Sequence, residues 1–207
     1  ARDSVVRMRA RPTGRDVVRF EGATAAGNAT AVISAGSVRV TYPGQLPRTI
    51  ATPAGSGRAI VFDRDVEVLG TEPTNARLTI AAWSRPGVGQ APPNIIITGN
   101  IGRADPQAGP RSLGLLAEVD IVIDPSASAY PRQIQAALMA TTGGVRLPWR
   151  YRTPTRVTSP ANFYPPPRPT LNVTGSIASH AAITMRWSWG SSWIGYNQRQ
   201  YLWDAWL

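Results

Sequence analysis

The chain has 207 residues, 19 glycines, 19 prolines, no cysteine and a net charge of +10, and all 22 of its basic residues are arginine. That length can bury a substantial core, while glycine and proline at this density break helices and favour short strands joined by turns. Without cysteine there is no disulfide framework, thiolate metal site or cysteine nucleophile, and no apolar run approaches the roughly 20 residues that a membrane-spanning helix needs.

The opening Ala1-Arg-Asp-Ser4 has no hydrophobic stretch. It reads as a mature start left by removal of an initiator Met, without a signal peptide. Arg2, Arg7, Arg9, Arg11 and Arg15 then place five positive charges against Asp3 alone. This is either a basic arm that neutralises phosphates without reading sequence or an edge strand with a solvated Arg face. Arginine-only usage has a bland source in a GC-rich coding genome. Its functional reading is bidentate recognition of phosphate or carboxylate.

Strand signals follow in series. Ser4–Arg9 and Arg15–Glu21 mix apolar residues with Arg, and Ser37–Tyr42 alternates Val38 and Val40 against Arg39 and Thr41, the period of a half-buried strand. Gly57–Phe62, Asp65–Leu69, Ala76–Ser84, Asn94–Thr98, Leu115–Ile123, Val145–Arg152 and Thr170–Trp187 bring the set to about ten. Pro131–Ala140 predicts one short helix, with Pro131 in its first turn, Ile134, Leu138 and Met139 near helical spacing, and Gly143-Gly144 as its stop. Arg85–Pro93, Gly102–Ser112 and Ser159–Pro169 read as long loops, and no internal repeat stands out. The pattern predicts an all-β, two-sheet, jelly-roll-like β-sandwich of about 8–10 strands with one short helix. A basic arm or edge strand covers residues 1–14, the sandwich 15–187, and a Trp-rich interaction segment 188–207.

Catalytic signals are sparse. The single histidine, His180, lies in a strand-like run without a Gly-x-Ser-x-Gly elbow, so a structural role is the simpler one. Asp63, Asp65 and Glu67 share one strand face, as do Glu118, Asp120 and Asp124. Carboxylates so grouped can serve a hydrolase or bind Ca²⁺; the plainer reading pairs them with Arg on neighbouring strands. Gly55-Ser-Gly57-Arg58 lacks the Lys and spacing of a phosphate loop, and no motif calls for a cofactor. The chain is therefore read as a non-enzyme without a metal site, with Asp63, Asp65 and Glu67 as the fallback Ca²⁺ candidates.

Two aromatic regions remain. Arg146, Arg150, Arg152 and Arg156 interleave with Trp149 and Tyr151, suiting either base stacking or an amphipathic interface strand. The final residues concentrate Trp187, Trp189, Trp193, Tyr196, Tyr201, Trp203 and Trp206. Tryptophan is enriched at protein interfaces and membrane surfaces, and the segment reads first as a dock between subunits.

Many short strands, long loops, a basic arm and an interface-rich C-terminus together resemble the viral single jelly-roll capsid proteins, in organisation rather than by any diagnostic motif. The resemblance implies a capsid subunit that self-assembles into an icosahedral shell in the virion, built in the host cytoplasm. Its partners would be other copies, other virion proteins and, non-specifically, genome nucleic acid or an internal membrane. The alternative is a carbohydrate-binding or adhesin-like β-sandwich using exposed Trp faces; a hydrolase using Asp63, Asp65 or Glu118 is third.

Overall fold

The computed structural model describes residues 16–22, 25–34, 36–53, 55–72, 76–85, 91–103, 112–124, 131–147, 168–184, 186–189 and 192–202. At 71, 72, 103, 168, 169, 186–189, 192–197, 199, 201 and 202 it describes the backbone alone. Every regular element among them is a β-strand, and the strands form two sheets. The all-β, two-layer expectation holds.

The first sheet has six strands in the order β1 (Val17–Phe20), β5 (Gly57–Phe62), β7 (Arg77–Ala82), β9 (Ser112–Ala117), β12 (Ala137–Ala140) and β15 (Ile177–Ser179). All five pairings are parallel. The second sheet has eleven strands. Its parallel part contains β2 (Ala29–Ser34), β6 (Val66–Glu72), β8 (Ile95–Arg103), β10 (Ile121–Ile123), β11 (Gln133–Gln135), β13 (Val145–Arg146), β14 (Arg168–Thr174) and β17 (Ser192–Leu202). Antiparallel pairing is confined to the two ends, where β3 (Ser37–Thr41) and β4 (Arg48–Ala51) extend β2, and β16 (Arg186–Trp189) lies against β17.

Chain order explains the parallel pairing. The polypeptide runs through one first-sheet strand, crosses to the second sheet and returns one strand further along, again and again. The molecule is a two-layer sandwich wound as a solenoid, in which each coil buries its apolar side only by stacking on its neighbours. A jelly roll is built from antiparallel strands, so that part of the expectation is corrected.

Side chains of equivalent positions stack along the coils. In the first sheet, Ile60, Ile80, Leu115 and Leu138 occupy one register row and are all at most 1% exposed. Across the core, Val66, Ile95, Ile121 and Val145 form a second row and are fully buried. Burying one such branched side chain contributes roughly 1.5–3 kcal/mol. The rows follow from strict alternation, as in β9, where Leu113, Leu115 and Ala117 point inward.

The predicted helix at Pro131–Ala140 is also corrected, because this stretch forms β11 and β12. Ile134, Ala136, Leu138 and Ala140 are all buried, a period of two that overrides the good helix formers between them. Leu115–Ile123 is not one strand either: it turns a corner at Glu118–Asp120 between β9 and β10. Of the expected long loops, Gly102 and Arg103 lie in β8, Ser112 in β9, and Arg168 and Pro169 in β14; the rest of Gly102–Ser112 and Ser159–Pro169, with 86–90, falls outside the described residues.

One end of the coil stack is closed by the β3–β4 hairpin. Phe20 stacks on Phe62 (ring centroids 5.3 Å apart, planes at 14°) and meets Tyr42 at 5.8 Å. Tyr42 and Ile50 are both buried in this cluster. The guanidinium of Arg48 lies 5.4 Å over the Phe20 ring and that of Arg64 lies 5.0 Å over Tyr42, adding cation–π attraction at an otherwise open core end.

Candidate functional site

The acidic residues gather where the chain turns from the first sheet into the second. Corner backbone N–H groups that the sheet ladders miss need acceptors, and carboxylates from adjacent coils supply them. Gly22 N–H donates to Asp63 Oδ2 at 2.8 Å, and Ser84 N–H to Glu118 Oε2 at 2.7 Å. In the other direction along the stack, Asn94 N–H donates to Asp65 Oδ1 (2.7 Å), Asp120 N–H to Asn94 Oδ1 (3.1 Å) and Gly144 N–H to Asp120 Oδ1 (2.8 Å). Asp65, Asn94 and Asp120 thus form a ladder, each side chain gripping the next coil.

Several of these acids have further partners. Asp63, 2% exposed, accepts the Tyr42 hydroxyl at 2.6 Å, with Arg64 Nε at 3.8 Å. Asp120 Oδ2 receives Arg146 Nη2 at 2.6 Å, a charge-assisted bond between neighbouring coils. Glu67 accepts from Asn28 Nδ2 at 3.1 Å. The three Ca²⁺ candidates therefore have separate partners. Among the described residues no group of three His, Cys, Asp or Glu is arranged to hold a metal ion. Pairing of acids with Arg is found at Asp120, at Glu21, whose partner is Arg19, and at Asp63 with its neighbour Arg64, but backbone N–H groups are the commoner partners.

His180 is exposed, and its backbone N–H donates to the Ala140 carbonyl. Arg146 sits in β13, whereas Arg150, Arg152, Arg156, Trp149 and Tyr151 lie outside the described residues, as do Arg2, Arg7, Arg9, Arg11, Arg15, Trp203 and Trp206. Trp187 and Trp189 are on β16; Trp193, Tyr196 and Tyr201 are on β17. Register sets Trp187 opposite Ile194 and Trp189 opposite Ser192 in the terminal hairpin. The final strand is β17, which continues to Leu202, with Tyr201 beside Val173 of β14.

Sequence reading missed Tyr42, Asn94 and the corner ladder. A signal existed: Phe62-Asp-Arg-Asp-Val66 and Ala117-Glu-Val-Asp-Ile121 share the order apolar, acid, any residue, acid, apolar. The pattern marks the same corner in two coils.

Two outer surfaces differ in chemistry. On the first sheet one outward row is Val17, Ala59, Thr79, Gly114 and Ala137, and the next is Arg19, Val61, Ala81, Leu116, Met139 and Ala178. On the second sheet, Gln133, Asn172 and Gln200 are in register, and Thr170 contacts Gln198, making an amide and hydroxyl ladder. Compared with known proteins, the chain matches no family model, no curated protein and no solved structure.

Proposed function

We propose that the chain is a non-enzymatic structural protein that works by associating with copies of itself, the virion shell subunit being the form its sequence organisation suggests. One observation carries this reading: Asp63, Asp65, Glu118 and Asp120, the carboxylates best placed for chemistry, each hold a backbone N–H of an adjacent coil. They act as clips of a scaffold. Parallel winding replaces the jelly roll as the architecture of such a subunit, so the reading rests on self-association, with Trp187, Trp189, Trp193, Tyr196, Tyr201, Trp203 and Trp206 as the proposed contact residues. The Arg2–Arg15 arm would meet polyanions without sequence preference.

Sedimentation and negative-stain imaging across salt and protein concentration provide the test. Oligomers or particles are expected, and a strictly monomeric chain would sink the reading. Truncation after Leu202 is the variant of choice, because removing Tyr201 and Leu202 would clip residues paired with Val173 and Thr174. Loss of Trp203 and Trp206 should weaken assembly with the fold intact. If Asp65→Asn or Glu118→Gln abolished a measured hydrolytic activity, the hydrolase reading would displace this one.

A second reading, carbohydrate binding, is favoured by the amide ladder. Gln133 and Gln200 are exposed, and Asn172 Oδ1 is buried without a hydrogen-bond partner. A row of amides about 4.8 Å apart offers donors and acceptors to a hydroxyl-rich chain. Titration with a saccharide panel, comparing the native chain with Gln133→Ala/Gln200→Ala, checks it; no binding by the native chain removes it.

A further inference from the structure

We infer that the outward face of the first sheet is a self-complementary surface on which a second copy of this chain docks face to face; the inference rests on the self-association reading and adds a second surface to the Trp-rich one. The face is nearly free of charge. Of the positions in its outward rows only Arg19 and Arg77 are charged, and both sit at its margins, Arg19 on the end strand β1 and Arg77 at the start of β7. Arg19 is further offset by Glu21 at 3.4 Å. On a chain of net charge +10, copies repel wherever Arg is dense, so an almost neutral apolar face is where two can approach. The outer face of the second sheet differs among the described residues: its row Thr30, Glu67, Ile96, Val122, Arg146 carries both signs of charge.

Shape selects a second copy as the occupant. The row Ala59, Thr79, Gly114, Ala137 is built from small residues and forms a trough, while Val61, Leu116 and Met139 in the next row form a ridge. Ala81, 5% exposed, sits low in that ridge between Val61 and Leu116. Two such faces related by a two-fold axis place each ridge in the other's trough, the isologous arrangement of a symmetric dimer. Packed sheets approach to about 10 Å, which small side chains permit. Six strands spaced about 4.8 Å apart, each three to six residues long at about 3.3 Å, give roughly 250–500 Å² per copy. The pair would bury roughly 500–1,000 Å² in total, below the roughly 1,000 Å² that a stable specific interface clears and in the range of transient contacts. The contact is therefore weak and reversible, and becomes significant when many copies are concentrated.

The test is sedimentation equilibrium of the full chain beside Leu116→Arg/Met139→Arg, with Thr30→Arg/Thr98→Arg as a charge-matched control on the other sheet. The native chain and the control should dimerise alike, while the first variant's dissociation constant should rise about tenfold or more, the factor for about 1.4 kcal/mol. Gly114→Leu fills the trough without adding charge and should weaken the dimer as well. A Cβ there meets only Thr79, at 3.5 Å or beyond, so the fold should tolerate it; unchanged circular dichroism and melting temperature verify that each variant is folded. Because the chain has no native cysteine, Leu116→Cys can be probed with a thiol reagent, which should react in dilute solution and become protected as the dimer forms. If the native chain associates but the face variants associate equally well, the surface is wrong and self-association stands. If the native chain stays monomeric, both fall. Protection of the thiol in the dilute monomer would show the face covered by the chain itself and would also overturn the inference.

Discussion

Asp120 concentrates several roles in one side chain. It is 7% exposed, accepts the Gly144 N–H, pairs with Arg146 and is itself held through its backbone by Asn94. Asp120→Ala should cost about 2–3 kcal/mol in chemical denaturation, because it leaves a buried N–H and a guanidinium without their acceptor. Asp120→Asn should cost about 1 kcal/mol, since an amide oxygen can keep the Gly144 bond, as Asn94 does one coil earlier. Equal losses for the two would mean that the charge pair, not the ladder, carries the stability. Tyr42→Phe isolates the capping end: losing the 2.6 Å bond to buried Asp63 should cost about 1–2 kcal/mol with ring packing on Phe20 retained.

At the scale of elements, β6 illustrates how close the coils come. Gly70 has φ +114° at the register shift between Val68 and Gly70, and a Cβ there would strike the Ile33 backbone of β2. Gly70→Ala should therefore destabilise the β2–β6 pair by about 3 kcal/mol or more, read as a fall in melting temperature; a neutral result would mean the shift relaxes freely. Much of this scale was legible beforehand. The alternating Ser37–Tyr42 is β3, ending at Thr41, and the strand-like run Gly57–Phe62 is β5. Ala29–Ser34 was missed, because inward Ala29 and Ala31 give a faint apolar signal next to the glycines before them. Pairing direction was not legible at all, since an alternating strand has the same pattern whether its neighbour runs with it or against it. Nor was the repeat, because Ile60, Ile80, Leu115, Leu138 and Ile177 stack in one row while standing at unequal intervals in sequence. Of the candidate site, the acids were found as residues but assigned to a shared face; the corner between sheets gives them separate duties.

At the scale of the molecule, stability is close to a sum over coils and the contacts between neighbouring coils. The β3–β4 hairpin seals the first coil with buried Tyr42 and Ile50. At the other end β15 has three residues, none fully buried, and Ile183 is 43% exposed. Amide hydrogen exchange should therefore be slowest in β7 and β9 and fastest in β15; equal protection throughout would indicate a single cooperative unit. The corner ladder adds a direction to this. It passes from Asp65 to Asn94 to Asp120 and ends at Gly144, which has no side chain to offer the coil beyond. A larger residue has no room there, with the Ala182 carbonyl 2.7 Å from where a Cβ would stand. Held at its two termini and stretched, such a molecule has a built-in weak link: tearing should start past Gly144 and travel toward the sealed coil. The length of thread paid out at each rupture would differ, being roughly twice as long for the turn from Leu138 to Ile177 as for that from Ile60 to Ile80. A single-molecule force trace would then record the order of the coils as a sequence of unequal steps.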